Sequence, residues 1–507
     1  MSRPHWLESL PDAPLMRATD EWAIQNHGIA SLELMERAGE GLARVVAEQV
    51  PAGRIVAVCG KGNNAGDGFV AARLLRLAGR EVEVLALWPA QWLSDDARAM
   101  LARLPGAPAV DYDPALLAKA HGIVDALLGT GSTGAPKEPV AAAIEDLNGA
   151  RAKVVAADIP SGVDAGTGEV PGAAVRAAAT ATFHRAKPGL WIAPGKALAG
   201  AVSVIDIGIP RGAPGEADAG LIAAGVLRAL PRRGAESSKF SSGNVVIIGG
   251  SRGLSGAPSM SALAAMRAGA GYVTVAAPAS LEVAFAARLL EVMLVGLPED
   301  DGAVTAEALE PALAAVARAD AVVLGPGIGR SEGARDLVRG LVGRIDVPLV
   351  IDADGLNALA GGLDELRRRR WPTVLTPHAG ELGRLLDVDS AEVGRARLRH
   401  ARAAALRAHA LVVLKGDDTI VAAPSGRVAI SPGGAPALAT AGTGDVLAGV
   451  AGALLAKRLS PAHAVCAAVY AHLSAGRLAA APHGPDGVIA SDVIAALPAA
   501  LAAGSGW

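Results

Sequence analysis

The chain has 507 residues, of which 51% are hydrophobic and 19% are charged. A domain takes roughly 100–200 residues, so this length predicts more than one domain, and the large apolar content excludes wholesale disorder. The 47 Lys and Arg residues nearly balance the 50 Asp and Glu residues, for a net charge of −3. A nucleic-acid surface requires a clustered basic excess, so we expect no nucleic-acid partner.

Neither a membrane span nor a disulfide framework is expected from the sequence. The longest apolar helix-like run, Val446–Ala456, is half the length of about 20 residues that a bilayer requires. The N-terminus has no apolar stretch behind its Arg, which argues against a secretory signal. Cys59 and Cys466 form no Cys-x-x-Cys pair and are predicted to be small core residues. These features favour a cytoplasmic enzyme.

The first half of the chain alternates β-branched runs with Ala/Leu-rich helical patterns, which predicts βα units and a largely parallel sheet. The predicted strands are Ile55–Gly60, Glu81–Leu87, Gly122–Leu128, Lys153–Ile159, Thr180–His184 and Ala201–Ile207. The predicted helices are Phe69–Ala78, Ser94–Leu104 and Pro139–Leu147.

The alternation stops over residues 209–238, which are rich in Pro and Gly, and then restarts. Seven strands are predicted between Asn244 and Gly416, followed by a hairpin of Thr419–Ala423 with Arg427–Ser431 and by helices from near Thr443. We therefore predict two unequal α/β domains, residues 1–210 and 237–507, joined by a linker over residues 211–236.

Polar side chains end three strands of the first domain. The glycine-rich segment Gly60–Gly68 follows the first strand, Asp125 lies in a later one, and Asp158 and Ser161 end the next. Because the carboxyl ends of parallel strands share one edge, these oxygens could coordinate a hard cation and leave a carboxylate for proton transfer. The alternative for the first segment is a turn whose Asn and Asp satisfy the local backbone.

These segments resemble, in order, the three signatures of the epimerase domain of the bifunctional NAD(P)H-hydrate repair enzymes. The similarity covers roughly Trp6–Pro210 and implies a Rossmann-like three-layer α/β sandwich. It implies a catalytic Asp158 and a potassium ion held by Asn64, Asp125 and Ser161. It also implies that the hydrated nucleotide, NADHX or NADPHX, contacts Asn63, Asn64, Ala65, Gly66, Asp67, Gly129, Thr130, Gly131, Ser132, Thr133, Gly134, Ala135 and Asp158. The family usually has Gly where Ala65 stands.

The most specific segment of the second domain is Ala439–Leu455, in which Gly442, Thr443 and Gly444 open a predicted helix. Unpaired N–H groups at such a start bind anions, and Asp445 beside them could act as a base toward a hydroxyl that attacks phosphorus. The alternative is that Thr443 or Asp445 is a helix cap. Polar turns also follow strands at Lys415–Thr419, Gly325–Gly329 and Asp352–Leu359, and His378 in a further turn favours a ligand contact over a core position.

This pattern resembles the ribokinase-like superfamily and, more narrowly, the ADP-dependent NAD(P)H-hydrate dehydratases, from about Lys239 to Leu501. The resemblance implies a ribokinase-like α/β domain that commonly self-associates, so we expect a homo-oligomer. It implies that the hydrate binds beside Ala257, Gly327, His378 and Asp445, and that ADP binds Lys415, Gly416, Asp417, Asp418, Thr419 and Gly444. Asp445 would be catalytic, and Glu381 would assist Mg²⁺. The family's opening His-Lys-Gly is replaced here by Ser238-Lys239-Phe240.

The resemblance implies epimerisation of the R and S hydrates in the first domain and ADP-dependent dehydration of the S form in the second. One alternative is a ribokinase-like kinase of a small alcohol, which shares Asp445 and the anion site. The other is a nucleotide sensor or scaffold, which would need neither Asp158 nor Asp445.

Overall fold

The computed structural model describes residues 4–503, which fold as two compact units. The smaller unit comprises residues 9–219, and the larger comprises residues 4–8 and 220–503. Both units are mixed α/β with largely parallel sheets, which confirms the predicted fold class.

The first eight strands and first six helices precede the boundary at residue 219. The strands are β1 (Leu7–Leu10), β2 (Ile55–Cys59), β3 (Val82–Ala86), β4 (Val110–Asp111), β5 (Gly122–Ala126), β6 (Lys153–Ala157), β7 (Ala179–Phe183) and β8 (Ala201–Ile205). The helices are α1 (Ala13–His27), α2 (Ser31–Gln49), α3 (Asn63–Leu77), α4 (Asp95–Leu101), α5 (Val140–Gly149) and α6 (Gly195–Ala199).

Strands β2 to β8 form the sheet of the smaller unit, in the order β4-β3-β2-β5-β6-β7-β8 and parallel throughout. Alternate residues of β2 enter different cores, with Ala57 and Cys59 on one face and Val56 and Val58 on the other. A strand buried on both faces needs a continuous apolar run, which is why it was recognisable in the sequence. The order places the carboxyl ends of β2, β5 and β6 side by side.

The larger unit contains the remaining elements. Its strands are β9 (Ala219–Ile222), β10 (Asn244–Ile248), β11 (Tyr272–Pro278), β12 (Met293–Leu297), β13 (Glu299–Asp300), β14 (Ala303–Val304), β15 (Ala321–Leu324), β16 (Leu349–Ile351), β17 (Thr373–Leu375), β18 (Leu411–Leu414), β19 (Ile420–Ala422) and β20 (Val428–Ile430). Its helices are α7 (Gly256–Arg267), α8 (Glu282–Ala286), α9 (Leu309–Val316), α10 (Glu332–Arg344), α11 (Asp354–Ala358), α12 (Ala379–Leu386), α13 (Ser390–Arg395), α14 (Arg397–Ala408), α15 (Thr443–Ala456), α16 (Pro461–His483) and α17 (Ala490–Ala502).

Its main sheet has eleven strands in the order β1-β9-β20-β19-β18-β17-β16-β15-β10-β11-β12. All seven strands predicted between Asn244 and Gly416 belong to it, and the predicted hairpin is the antiparallel pair β19–β20. The nearly all-apolar helix α15 packs among α7, α16 and α17. This position explains why α15 is hydrophobic on all sides.

The predicted linker over residues 211–236 is wrong for its second half. Ala219–Ile222 forms β9, and Ile222, Val226 and Leu230 are buried in the core of the larger unit. Trp6 lies in the same core, so residues 4–8 also belong to the larger unit rather than to the predicted domain 1–210. The strand has only four residues, and it is stabilised by pairing and packing with segments that are distant in sequence.

Helix α16 contains the segment Pro461–Pro482, which has the length and hydropathy of a membrane span. Of the 18-residue stretch of this segment that meets the hydropathy criterion, 67% is buried inside the protein. A core helix passes the same test, so one such helix is weak evidence for a membrane segment.

Candidate active sites

A cavity of about 670 Å³ opens at the carboxyl edge of the smaller unit's sheet. Its walls include Asn63 and Asn64 after β2, the segment 127–132 after β5, and Asp158 after β6. The three polar segments predicted to share one edge therefore meet at one cavity. This is the position at which parallel α/β sheets bind ligands.

Asp158 is held in place by several donors. Thr130 donates to Oδ2 through its backbone N–H at 3.3 Å and through its hydroxyl. Thr182 Oγ1 and the Phe183 N–H each donate to Oδ1 at 3.3 Å, and the ammonium of Lys187 forms an ion pair with the same oxygen. The backbone of Asp158 has a φ of 67°, a left-handed conformation that is costly for a non-glycine residue.

These contacts set the charge of Asp158. Burial alone would raise the pKa of the carboxyl group, but the positive charge of Lys187 and the donated hydrogen bonds outweigh it. The pKa of Asp158 is therefore below its ordinary value, and the side chain is a carboxylate at neutral pH. Lys187 is 1% exposed, and its ammonium also donates to Thr182 Oγ1 and the Phe183 carbonyl at 3.0 Å.

Two further carboxyl groups line the same cavity with the opposite shift. Burial raises the pKa of Asp67 well above its ordinary value, and the negative charges of Asp158 and Asp20 add to the effect. Burial also raises the pKa of Asp20 to about 6, against the attraction of Lys187. The cavity thus combines an ionised carboxylate with carboxyl groups that hold their protons more strongly.

The predicted potassium ligands lie next to one another below the cavity. The Ser161 hydroxyl donates to Asp125 Oδ1 at 2.6 Å and the Ser161 N–H to Oδ2 at 2.9 Å. The Asn64 amide donates to the Leu128 carbonyl at 2.9 Å, and that carbonyl lies 3.4 Å from Ser161 Oγ. Asp125 is fully buried among neutral donors, and burial raises its pKa to about 6.

Most, but not all, of the predicted epimerase contacts line the cavity. Those that do are Asn63, Asn64, Asp67, Gly129, Thr130, Gly131, Ser132 and Asp158. Ala65 and Gly66 are buried within helix α3, and Thr133, Gly134 and Ala135 continue the loop at the surface beyond the lining residues. The role of each remains a prediction.

The sequence analysis missed the cavity residues Lys187, Asp20, Arg17 and Trp88. No local signal marks Lys187, because its partner Asp158 lies 29 positions earlier in the chain. At the rim, Lys61 Nζ lies 5.4 Å from the centre of the Trp88 ring, within the range of a cation–π contact.

In the larger unit, α15 begins at Thr443 as predicted, with Gly442 at the cap position and a φ of 90°. No side chain caps this end, and the Thr443 hydroxyl donates instead to the carbonyls of Leu438 and Thr440 at 2.7 and 2.9 Å. The alternative of a plain helix cap is therefore wrong. The first N–H groups of the helix are left available to an anion.

Asp445 lies in the first turn of α15, facing an excess of negative charge. Burial raises the pKa of Asp445 to about 7, and the carboxylates of Asp352, Glu381 and Asp354 add to the shift while Lys415 opposes it. A carboxyl group with a pKa near 7 can accept a proton and release it again at physiological pH.

Lys415 is the cation of this cluster. Its ammonium lies 2.9 Å from Asp352 Oδ1 and 3.6 Å from Glu381 Oε2. Burial alone would lower the pKa of Lys415, but Asp352 and Glu381 outweigh it and raise the value, so the ammonium stays charged. A Cβ placed on Gly444 would lie 3.3 Å from Lys415 Nζ, which puts the ammonium beside the start of α15.

A second cavity, of about 220 Å³, lies beside the same helix start. Five of the six residues predicted to bind ADP line it, namely Lys415, Gly416, Asp417, Thr419 and Gly444. The sixth, Asp418, is buried in an ion pair with Arg397 at 2.8 Å and supports the turn from beneath instead of lining the cavity. The cavity wall also includes His472, whose Nε2 is buried and has no hydrogen-bond partner within residues 4–503.

Of the residues predicted to contact the hydrate, Gly327 follows β15, His378 follows β17 and Ala257 lies in α7. A Cβ on Gly327, whose φ is 63°, would lie 3.3 Å from Ala257 Cβ, so these two residues are neighbours. His378 caps α12, where Nδ1 accepts from the Gly380 N–H at 3.0 Å, and the His378 N–H donates to Glu381 at 2.8 Å. His378 thus has a structural role, and a ligand contact through its half-exposed ring stays a prediction.

Comparison with known families covers both units. A family model described as NAD(P)H-hydrate dehydratase matches residues 245–499, and one described as YjeF-related protein N-terminus matches residues 31–189. A crystal structure of the ADP/ATP-dependent NAD(P)H-hydrate dehydratase of Bacillus subtilis, co-crystallised with ATP and Mg²⁺, is 29% identical to this chain. It covers 56% of this chain and 98% of its own, with a TM-score of 0.48.

Full-length relatives match both units together. The bifunctional NAD(P)H-hydrate repair enzyme Nnr of Salinibacter ruber is 40% identical over 518 residues, covering 96% of this chain and 95% of its own. The enzyme of the same name from Escherichia coli K12 is 36% identical and covers 98% of this chain and 94% of its own. With both family models matched in order and relatives of this identity along nearly the whole length, the chain belongs to the family of bifunctional NAD(P)H-hydrate repair enzymes.

Proposed function

We propose that this chain restores NADH and NADPH from their hydrates in two steps. The smaller unit interconverts the R and S epimers, and the larger unit dehydrates the S epimer at the expense of ADP. The observation that carries the proposal is that Asp158 lines the cavity at the strand ends of the smaller unit, and that Asp445 lies in the first turn of α15, next to Thr443 and Gly444, which line the cavity of the larger unit. Family membership supports the same assignment.

In the epimerase step, Asp158 is the group that handles the proton. Its carboxylate is kept ionised by Lys187 and faces a cavity with room for a nicotinamide ribonucleotide. The backbone of the Gly129–Gly131 loop can approach the ligand closely, and the N-terminus of α3 favours its phosphate groups.

Potassium is the cation that we assign to Asn64, Asp125 and Ser161. The donor set fits, because the fully buried Asp125 carboxylate lacks a compensating charge and contacts the Ser161 hydroxyl, and the Leu128 carbonyl beside that hydroxyl accepts from the Asn64 amide. Bound there, the ion would fix the Leu127–Leu128 turn and provide positive charge near the ligand. The protein's own contribution is to hold these oxygens on the rigid ends of β5 and β6.

In the dehydratase step, Asp445 accepts the proton of the hydrate's hydroxyl as that oxygen attacks the β-phosphorus of ADP. AMP leaves, and the phosphoryl group is transferred to the hydroxyl oxygen. The C6–O bond then breaks with phosphate as the leaving group, and loss of the C5 proton restores the dihydropyridine. Lys415 and the first N–H groups of α15 stabilise the charge on the transferred group.

Magnesium is expected to accompany the adenine nucleotide. The carboxylates around Asp445 outnumber the one lysine among them, and carboxylate oxygens are the ligands that Mg²⁺ prefers. We assign Glu381 to it, where the ion would neutralise phosphate charge. Asp352 is less suitable, because its Oδ1 lies closer to the Lys415 ammonium, at 2.9 Å, than Glu381 Oε2 does, at 3.6 Å.

A cytoplasmic homo-oligomer is the form in which we expect the protein to act. Its substrates are NADHX, NADPHX and ADP, all small nucleotides of the cytoplasm. Size-exclusion chromatography with light scattering tests the oligomeric state.

The function is tested by supplying purified protein with pure (R)-NADHX, ADP, Mg²⁺ and K⁺ and following the near-ultraviolet absorbance of the reduced cofactor. We expect NADH, AMP and free phosphate in equal amounts. A stable phosphoester in place of free phosphate would indicate a kinase instead, and no turnover of either epimer would refute the proposal. Omitting ADP, or replacing K⁺ by Na⁺, checks each dependence separately.

A further inference from the structure

Asp67 is the acidic group of the epimerase cavity to which the proposed function gives no proton-transfer role. It lies one turn into α3, is 8% exposed, and lines the cavity together with Asp158 and Asp20. Within residues 4–503, no hydrogen bond to the Asp67 carboxyl group is found, and the group is open to the cavity rather than sealed in the protein interior. A ligand in the cavity can therefore contact it.

The charges that face Asp67 are mainly negative. Asp158 and Asp20 both oppose its ionisation, and Lys187 gives only partial relief, since its three donors are directed to Asp158, Thr182 and the Phe183 carbonyl. Arg17, Lys61 and Glu21 also reach the cavity wall, from α1 and from the loop before α3. Burial with two neighbouring carboxylates raises the pKa of Asp67 well above its ordinary value, so the group holds its proton more strongly than an exposed aspartic acid.

We propose that Asp67 is the general acid of the epimerase site, acting opposite the carboxylate of Asp158. This inference rests on the proposed function of the smaller unit and adds a second catalytic residue to it. Two carboxyl groups line one cavity and their pKa values are shifted in opposite directions, which is the arrangement that acid–base catalysis requires.

The step balances as follows. Asp67 gives its proton to the C6 hydroxyl, the C6–O bond breaks, and the N1 lone pair forms an N1=C6 bond as water leaves. A water molecule then bonds to C6 on the opposite face while Asp158 takes one of its protons and the N1=C6 electron pair returns to N1. The proton on Asp158 returns to Asp67 through solvent, so that no oxidant or further reactant is consumed.

The competing view is that Asp67 only binds the ligand through a hydrogen bond. Asn has the shape of a protonated Asp and can donate and accept hydrogen bonds, but it cannot transfer the proton. Asp67→Asn therefore separates the two roles. A binding role predicts a nearly unchanged rate or a raised KM, whereas an acid role predicts a lowered kcat with a similar KM.

The experiment measures epimerase kinetics of full-length protein on (R)-NADHX from pH 6 to 10. An excess of Asp158→Asn protein, which should keep dehydratase activity, converts the S product to NADH in the presence of ADP and Mg²⁺. The rate measured with this coupling protein alone, which reports spontaneous epimerisation, is subtracted. We expect the wild-type kcat to fall at alkaline pH as Asp67 loses its proton. Asp67→Asn should lower kcat by about 100-fold or more with KM changed less than about threefold, and should abolish the alkaline fall. The exposed Asp111 serves as a matched Asp→Asn control.

Asp20→Asn provides a second test that leaves Asp67 intact. Removing the Asp20 carboxylate lowers the pKa of Asp67, so the alkaline fall in kcat should move to lower pH by roughly 0.5–1 unit. This shift decides the question if Asp67→Asn does not fold. Any of three results overturns the inference. The wild-type kcat does not fall at alkaline pH, Asp67→Asn stays active and keeps that fall, or the fall occurs at the same pH in Asp20→Asn as in the wild type. Absence of wild-type epimerase activity would instead refute the proposed function.

Discussion

The two units set the charge of their proposed catalytic aspartates in opposite ways. Asp158 is paired with the buried Lys187 and accepts four further hydrogen bonds, from Thr130, Thr182 and Phe183, so its pKa is lowered. Asp445 faces Asp352, Glu381 and Asp354, and the one lysine nearby is engaged by Asp352 and Glu381. Burial raises the pKa of Asp445 to about 7, with these carboxylates adding to the effect.

The difference matches the chemistry proposed for each unit. A residue that must remain a carboxylate while a neutral hydrate is epimerised benefits from a fixed cation. A residue that must take a proton from a hydroxyl as phosphorus is attacked benefits from a pKa near the pH of the solution. The same residue type thus serves two reactions because its neighbours differ.

The largest expected effect comes from removing each carboxylate in turn. Asp445→Asn should lower dehydratase kcat by about 10²–10⁴-fold and leave epimerase activity intact, and Asp158→Asn should do the reverse. Each variant is the control for the other, measured on pure R and S epimers. Loss of both activities in either variant would contradict the separation of the two sites.

Asp445→Asn also tests the charge assignment through stability. The folded pKa of Asp445 lies above its unfolded value, so its ionisation costs stability increasingly as the pH rises from its ordinary pKa to about 7, and in full above that. Removing it should raise the free energy of unfolding at pH 8 by roughly 1–4 kcal/mol, with a smaller gain at pH 5. Chemical denaturation at the two pH values measures the difference.

The next effect concerns the fixed cation. Lys187→Met leaves the Asp158 carboxylate buried without its partner, which should lower the free energy of unfolding by about 3–5 kcal/mol. Because the folded pKa of Asp158 is lowered, its stabilising contribution is present at neutral pH and lost as the pH falls through that value. The loss in Lys187→Met should therefore be larger at pH 7 than at acidic pH.

Two further variants separate charge from packing at this position. Lys187→Met combined with Asp158→Asn removes both charges and should recover much of the stability, whereas a packing defect would persist. Lys137→Met changes an exposed lysine and should have no effect on either measurement. Equal losses in the single and double variants would refute the ion-pair argument.

The next largest effect is expected in the pH dependence of kcat/KM for the dehydratase step. Since Asp445 acts as a carboxylate, kcat/KM should rise with pH through about 7 and then level off. Asp354→Asn removes one of the carboxylates that raise this pKa and should move the rise to lower pH. Asp336→Asn, at an exposed position of α10, should not move it. A profile that is flat from pH 5 to 9 would contradict the assignment.

The sequence predicted the fold well wherever the signal was local. Strands buried on both faces are continuous apolar runs, so β2 and β10 were recognised within a residue or two at each end. Helix α3 was predicted to begin at Phe69, because Gly66 and its neighbours are poor helix formers. In the structure it begins at Asn63. Close packing against α2 overrides that propensity, as the approach of Gly39 to Val70 shows.

The site was predicted only where a strand end or a helix start carried its own polar residues. Asp158, Asp352 and Asp445 were found in this way, whereas Lys187 acquires its role from a neighbour that is distant in sequence. One lysine among many has no local signature, and only the pairing of β6 with β7 brings Lys187 to Asp158. Strand β9 was missed for the same reason.

The smallest expected effect compares one position in each glycine-rich helix start. Ala65 is fully buried inside α3, where the family usually has Gly, and its helical backbone requires no glycine. Ala65→Gly should therefore cost about 0.5–1 kcal/mol of stability and change epimerase kcat less than twofold. Gly444→Ala is the matched substitution in α15, where the new Cβ would lie 3.3 Å from Lys415 Nζ and should raise the KM for ADP several-fold. Thermal unfolding and kinetics are measured for both variants. In the first unit we expect the methyl group to have little effect on catalysis, because no charged group lies against it. In the second unit we expect it to displace the Lys415 ammonium, which faces the phosphates.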